Sequence, residues 1–118
     1  RVLVADDNRT NRLLIQRYLS EFDVDIVEAD NGQVALDKCL GFRPHVILMD
    51  MSMPEMDGLS AAKAIRELPI PRPSIIAITA NAFSSDRKAC LDAGMDDFLA
   101  KPVKKQDLMA GIISSLGA

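Results

Sequence analysis

Short apolar runs alternate with amphipathic helical stretches about five times along the 118 residues, and this rhythm restricts the possible folds more than any bulk property. The apolar runs predict strands over Val2–Ala5, Asp25–Ala29, Val46–Met49, Ile75–Thr79 and Phe98–Ala100. Between them, apolar residues recur at spacings of three and four, as on one face of a helix: Ile15, Tyr18, Leu19 and Phe22 in the first, Met109, Ile112, Ile113 and Leu116 in the last. Gly41 and Gly94 suit helix ends, while Asn31 and Ser84 or Ser85 suit helix starts.

The first and third strands are apolar throughout, as expected where helices cover both faces of a sheet. Strands alternating with helices pair in parallel through right-handed crossovers. The second strand, Asp25-Ile26-Val27-Glu28-Ala29, is more polar and suits an edge. The expected fold is therefore α/β: a doubly wound, flavodoxin-like (βα)5 unit with a five-stranded parallel sheet of order 2-1-3-4-5 in a three-layer α/β/α arrangement. No repeat, linker or low-complexity segment interrupts residues 1–118, so one domain is expected.

The net charge of -3 argues against nucleic-acid binding by this chain, which would need a clustered Lys/Arg excess. Cys39 and Cys90 fall in predicted helices without CxxC spacing, so zinc and redox centres have little support and reduced thiols are expected. No apolar run approaches a membrane span, and the chain opens on strand-like Arg1-Val2-Leu3 with neither Met nor a signal peptide. A soluble cytoplasmic protein, or a piece of a longer one, is the expectation.

In such a sheet ligands bind beyond the carboxyl ends of the strands, at the switch point between strands one and three. Asp6-Asp7 follows strand one, Asp50 ends strand three, Thr79 ends strand four and Lys101-Pro102 follows strand five. Three carboxylates and one ammonium leave a formal charge of about minus two in a partly desolvated cleft. A divalent cation resolves that repulsion, and an oxygen-only donor set selects a hard ion such as Mg²⁺. A carboxylate is also a competent nucleophile toward phosphorus, forming an acyl phosphate. Charge on the phosphoryl oxygens would then be met by Mg²⁺, Lys101, the Thr79 hydroxyl and loop amides.

Asp6-Asp7, the run from Asp50 to Gly58, Ile78-Thr79-Ala80-Asn81-Ala82 and Asp96-Asp97-Phe98-Leu99-Ala100-Lys101-Pro102 together resemble the receiver domain of two-component response regulators, in order and over essentially the whole chain. The resemblance implies a phosphoacceptor signalling switch rather than a metabolic enzyme, although one that assists its own phosphorylation and dephosphorylation. It makes Asp50 the phosphoacceptor. Asp7 and Asp50 would ligate Mg²⁺ directly, Asp6 largely through water, and the Ser52 backbone carbonyl would complete the protein ligands. Lys101 would pair with the phosphoryl group and join Pro102 by a cis peptide. Thr79 and Phe98 would form the switch, Thr79 moving toward the phosphate and Phe98 turning inward. The repacked surface of helix four, strand five and helix five would carry the signal. Ser52 and Asn81 stand where the family tunes the lifetime of the acyl phosphate.

The donor implied is a phosphohistidine on a histidine kinase or histidine phosphotransfer domain. Wording such as Thr79-Ala80-Asn81-Ala82 resembles receivers of hybrid histidine kinases. A covalently linked kinase or effector outside this chain, or a membrane-anchored hybrid kinase with this part in the cytoplasm, is the expected context, with a stand-alone regulator as the other. His45, the single histidine, precedes strand three while Asp50 ends it. Five extended residues separate them by roughly 16 Å, so His45 is not the donor.

Taken singly, these residues have plainer readings. Asp6-Asp7 could be a solvated or helix-capping pair, Thr79 a β-favouring residue, Lys101 a surface lysine and Phe98 a half-buried strand residue. Met53 and Met56 read as loop packing, Asp57-Gly58 as a turn and helix start, and the acidic tract from Asp92 to Asp97 as a solvated loop broken by Gly94. Three rival functions share the fold. A Mg²⁺-dependent aspartyl phosphohydrolase of the haloacid dehalogenase type would carry an acid where this chain has Ser52. An FMN binder would need a phosphate loop in place of Asp6-Asp7. A receiver serving only as a non-phosphorylated docking module would not need the intact Asp, Thr and Lys set.

Overall fold

The structure, a computed structural model, describes residues 1–51, 53, 56–79, 84–101 and 103–115, without the side chains of residues 84–87. Its elements run β1 (Val2–Ala5), α1 (Arg9–Leu19), β2 (Ile26–Ala29), α2 (Gly32–Phe42), β3 (Val46–Asp50), α3 (Gly58–Arg66), β4 (Ser74–Thr79), α4 (Ser84–Asp92), β5 (Asp97–Ala100) and α5 (Lys105–Ser115). The strands form one parallel sheet in the order β2-β1-β3-β4-β5, as expected from the polar second strand and the apolar first and third. Among the described residues no helix is long and apolar enough to cross a membrane.

Alternation along the central strands explains why both sheet faces are covered. Leu3, Ala5, Ile47, Met49, Ile75 and Ala77 enter one core with Ala35 and Cys39 of α2, Ala61, Ala62 and Ile65 of α3, and Cys90 of α4. Val2, Val4, Val46, Leu48, Ile76 and Ile78 point the other way, against Ile15 and Leu19 of α1 and Leu108 and Ile112 of α5. Successive side chains of a strand face opposite ways, so an uninterrupted apolar run serves two helical layers at once. Full burial of each Val, Leu, Ile or Met among them contributes roughly 1.5–3 kcal/mol. Met53 is buried in the first core and Met56 packs against that core, consistent with loop packing.

Caps fix where the helices begin. The side chain of Asn8 accepts hydrogen bonds from the backbone N–H of Thr10 and Asn11, that of Asn31 from Val34, and that of Asp57 from Ser60. Each satisfies N–H groups that the helix leaves without a partner. Capping of α1 thus falls to Asn8, which leaves the Asp6-Asp7 carboxylates available for other work. Gly94 follows α4 with φ 91°, a left-handed conformation that suits glycine.

Some expectations need correction. Gly41 lies inside α2, and the left-handed position after that helix is taken by Arg43, φ 50°. Phe22 lies beyond the end of α1 and is exposed, so α1 buries Ile15 and Leu19, with Tyr18 half-buried against the same core. On α5 the buried residues are Leu108, Gly111 and Ile112, while Ile113 faces solvent. The tract from Asp92 to Asp97 is not a simple solvated loop. Asp96 accepts hydrogen bonds from Arg66 Nη2 at 2.7 Å, Arg72 Nη2 at 2.8 Å and the Ile75 N–H at 2.9 Å. Arg66 also donates to the carbonyls of Gly94 (2.8 Å) and Pro73 (2.6 Å), tying the end of α3 to the amino ends of β4 and β5.

Candidate functional site

The carboxyl edge of the sheet gathers the residues expected there. Asp6 and Asp7 leave β1, Asp50 is the last residue of β3, Thr79 the last of β4, and Lys101 comes directly after β5. Parallel pairing keeps these ends level: Ala5 lies beside Met49, Asp50 beside Ile78, and Thr79 beside Ala100. The ladder extends past the strand ends, because Met51 N–H bonds to the Ile78 carbonyl and Lys101 N–H to the Thr79 carbonyl. The ends of these strands therefore border one shared space.

Within that space, one carboxylate oxygen from each of Asp6, Asp7 and Asp50 lies within 4.8 Å of the others, and among the described residues no other acidic, His or Cys group of three does this. Asp6 and Asp50 are buried, at 0% and 2% exposure, whereas Asp7 is open to solvent. Lys101 Nζ sits 3.0 Å from Asp50 Oδ1. Thr79 is buried at the same edge. Phe98 is half-buried on β5 and packs against the first core, as a strand residue should. The Ser52 carbonyl, Asn81 and the peptide joining Lys101 to Pro102 lie outside the described residues.

The environment of Asp6 is unfavourable to a charge. Burial, with a smaller push from the Asp50 carboxylate, raises its pKa above the usual value, while the Asn8 amide, Lys101 and Asn11 pull it down less strongly. Asn8 N–H donates to Asp6 Oδ1 at 2.8 Å, but Oδ2 is buried with no hydrogen-bond partner among the described residues. A buried, unpartnered carboxylate oxygen costs free energy unless something positive binds it. Three carboxylates, all-oxygen donors and an unsatisfied lone pair fit a hard divalent cation, and the acidic cluster can hold one.

The structure adds supporting contacts that sequence reasoning missed. Arg12 on α1 donates from Nη1 to the Asp6 carbonyl at 2.6 Å and pairs through Nε with Glu28 at 3.0 Å. Its spacing from Asp6 is less than two helical turns, a signal visible in the sequence, but the β2 partner is a tertiary fact. A small cavity of about 40 Å³ lined by Asp6, Asn11, Ile78, Lys101 and Val103 lies beside the cluster, between α1 and the start of α5. His45 is exposed at the opposite end of β3 from Asp50, as expected.

Known proteins are similar to this chain in sequence and fold. The family model of the response regulator receiver domain matches residues 2–113. The chain is similar to the sensor histidine kinase GacS of Pseudomonas protegens, 36% identical over 124 residues, covering 99% of this chain and 13% of that protein. It is also similar to hybrid signal transduction histidine kinase H of Dictyostelium discoideum, 42% identical over 115 residues, covering 93% of this chain and 8% of that protein. The chain thus spans a small part of the length of these relatives. Among solved structures, the receiver domain of sensor histidine kinase PA1611 from Pseudomonas aeruginosa superposes with a TM-score of 0.90 at 36% identity, covering 99% of this chain and 97% of that one. That crystal structure has a magnesium ion coordinated in its active site cleft. With its five-stranded 2-1-3-4-5 sheet, its acidic edge and a family match over residues 2–113, this chain belongs to the response regulator receiver domain family.

Proposed function

We propose that the chain works as one receiver unit, a phosphoacceptor switch in which Asp50 takes a phosphoryl group from a phosphohistidine on a histidine kinase or histidine phosphotransfer domain. The observation that carries this reading is the burial of Asp50 among two further carboxylates with Lys101 Nζ 3.0 Å from its Oδ1. An Asp50 oxygen attacks phosphorus, the bond from phosphorus to the donor imidazole nitrogen breaks, and that nitrogen keeps the electron pair and takes up a proton. The product is an acyl phosphate on Asp50.

Asp7 and Asp50 would hold Mg²⁺ directly, with Asp6 acting largely through water and the Ser52 carbonyl as a further ligand. Bound there, Mg²⁺ supplies positive charge against the carboxylates and the phosphoryl oxygens. Lys101, already paired with Asp50, would follow the charge onto the phosphoryl group, and the Thr79 hydroxyl would donate to it. Thr79 ends β4 and Phe98 lies on neighbouring β5, so a shift of Thr79 toward phosphate would let Phe98 turn inward and repack the surface of α4, β5 and α5. The relatives support a setting within a hybrid kinase, and we place this part on its cytoplasmic side.

Asp50→Asn removes the nucleophile while keeping the shape of the side chain. Incubation with acetyl phosphate and Mg²⁺ should give an acid-labile label on the parent chain and none on Asp50→Asn, and EDTA should abolish the label on the parent. Wild-type labelling of Asp50→Asn would overturn the assignment, and repeated turnover of phosphomonoesters would favour a phosphohydrolase instead.

A further inference from the structure

We propose that Gly32, the first residue of α2, is a positioning residue for the acid cluster, acting through the backbone of Met56 on the segment that joins β3 to α3. The inference rests on the reading of the cluster as a Mg²⁺-assisted phosphoacceptor site. The first N–H groups of a helix need partners outside it. In α2 the Asn31 side chain accepts from Val34 N–H, and Gly32 N–H donates to the Met56 carbonyl at 2.9 Å. The amino end of α2 therefore holds the segment that follows Asp50.

This contact leaves no room for a side chain. A Cβ on Gly32 would lie 2.2 Å from the Met56 carbonyl oxygen, 2.8 Å from its carbonyl carbon and 3.0 Å from its Cβ. Two of these atoms are backbone, so no rotamer change relieves the overlap, and Met56 would have to retreat by about 1 Å to reach ordinary contact. The other end of the segment cannot follow. Met51 N–H is bonded to the Ile78 carbonyl at 3.0 Å and Gly58 N–H to the Met51 carbonyl at 3.2 Å, and a Cβ on Gly58 would meet the Asp50 carbonyl oxygen at 2.4 Å. A displacement at Met56 thus has to be taken up between the two anchors, Met51 and Gly58, on the connection that leaves Asp50. Gly41 lies in the same helix, and a Cβ there would meet nothing within 4 Å. It offers the same chemical change without the displacement.

Mg²⁺ binding by the parent chain, Gly32→Ala and Gly41→Ala, followed by calorimetry or amide chemical shifts, tests the proposal. Gly32→Ala should bind Mg²⁺ about tenfold more weakly, the loss typical of contacts that orient metal ligands, and Gly41→Ala should match the parent. Acetyl phosphate labelling of Gly32→Ala should fall at limiting Mg²⁺ and recover as Mg²⁺ is raised, a rescue that a purely structural role would not give. A folded Gly32→Ala with parental Mg²⁺ affinity overturns the proposal and leaves the site assignment standing. A parent chain that does not respond to Mg²⁺ overturns both. Should Gly32→Ala not fold, hydrogen exchange on the parent decides. Coupling is reciprocal, so Mg²⁺ should slow exchange of the Gly32 amide, and exchange indifferent to Mg²⁺ would refute the inference.

Discussion

Asp6 and Asp96 stand at opposite ends of the same sheet and are treated in opposite ways. At the amino edge, Asp96 is partly open to solvent yet accepts from two arginines and a backbone amide. Burial pushes its pKa up, but the Ile75 N–H, Arg72 and Arg66 outweigh that and hold it below the usual carboxylate value. At the carboxyl edge, Asp6 is fully buried, one oxygen has no partner among the described residues, and burial carries its pKa above the usual value. One edge uses its charges to close the fold, and the other buries a group of acids that can hold a metal ion. The difference teaches that the density of acids says little about a site, whereas the supply of partners says a great deal.

The contrast can be broken at either end. Asp96→Ala strips Arg66 and the Ile75 N–H of their acceptor, and urea unfolding should show a loss of about 2 kcal/mol once solvent screening is allowed for. Parental stability in that variant would mean that the amino edge is not the structural one. Asp6→Asn should do the reverse in EDTA, raising stability by about 1 kcal/mol while weakening Mg²⁺ binding, because a buried charge is removed. The pH dependence sharpens this. A carboxyl whose folded pKa is raised opposes folding above that pKa, and the opposition fades as pH falls toward the unfolded value, 3.8 for Asp. The advantage of Asp6→Asn should therefore shrink between neutral pH and pH about 4. Asp96, with its pKa lowered, has the opposite sign: its contribution is present above 3.8 and is lost as pH falls below it. The smallest effect belongs to His45→Gln, at the amino end of β3, which should leave labelling by acetyl phosphate unchanged in a folded protein. Loss of the label there would bring the two edges into one function.

Much of this is legible in the sequence, for reasons that differ from residue to residue. Val2 to Ala5 and Val46 to Met49 read as buried strands because both their faces are apolar, and that alone places Asp6, Asp7 and Asp50 at one edge. Thr79 and Lys101 follow because each ends or succeeds a strand. Sequence reasoning fails for residues whose state depends on distant neighbours. Asp96 looks solvated because its partners Arg66 and Arg72 lie 30 and 24 residues away. Gly41 looks like a helix end because glycine favours that place, yet the helix continues one residue further and Arg43 takes the left-handed position. The short capping range of Asn8 is open to inspection but is overshadowed by the acids beside it. Gly32 is hidden for a different reason: its need for a bare backbone comes from Met56, which only the packing of α2 against the β3 end reveals.

The two-sided alternation of β3 has a consequence for how this chain can vary in length. Ile47 and Met49 belong to one helical layer and Val46 and Leu48 to the other, with Asp50 next in the series. A single inserted or deleted residue within β3 would exchange the two sets and turn the terminal carboxylate away from its companions. Drift in length is therefore excluded from β3 itself, and the spacing from Val46 to Asp50 behaves as a ruler that cannot be recut one notch at a time.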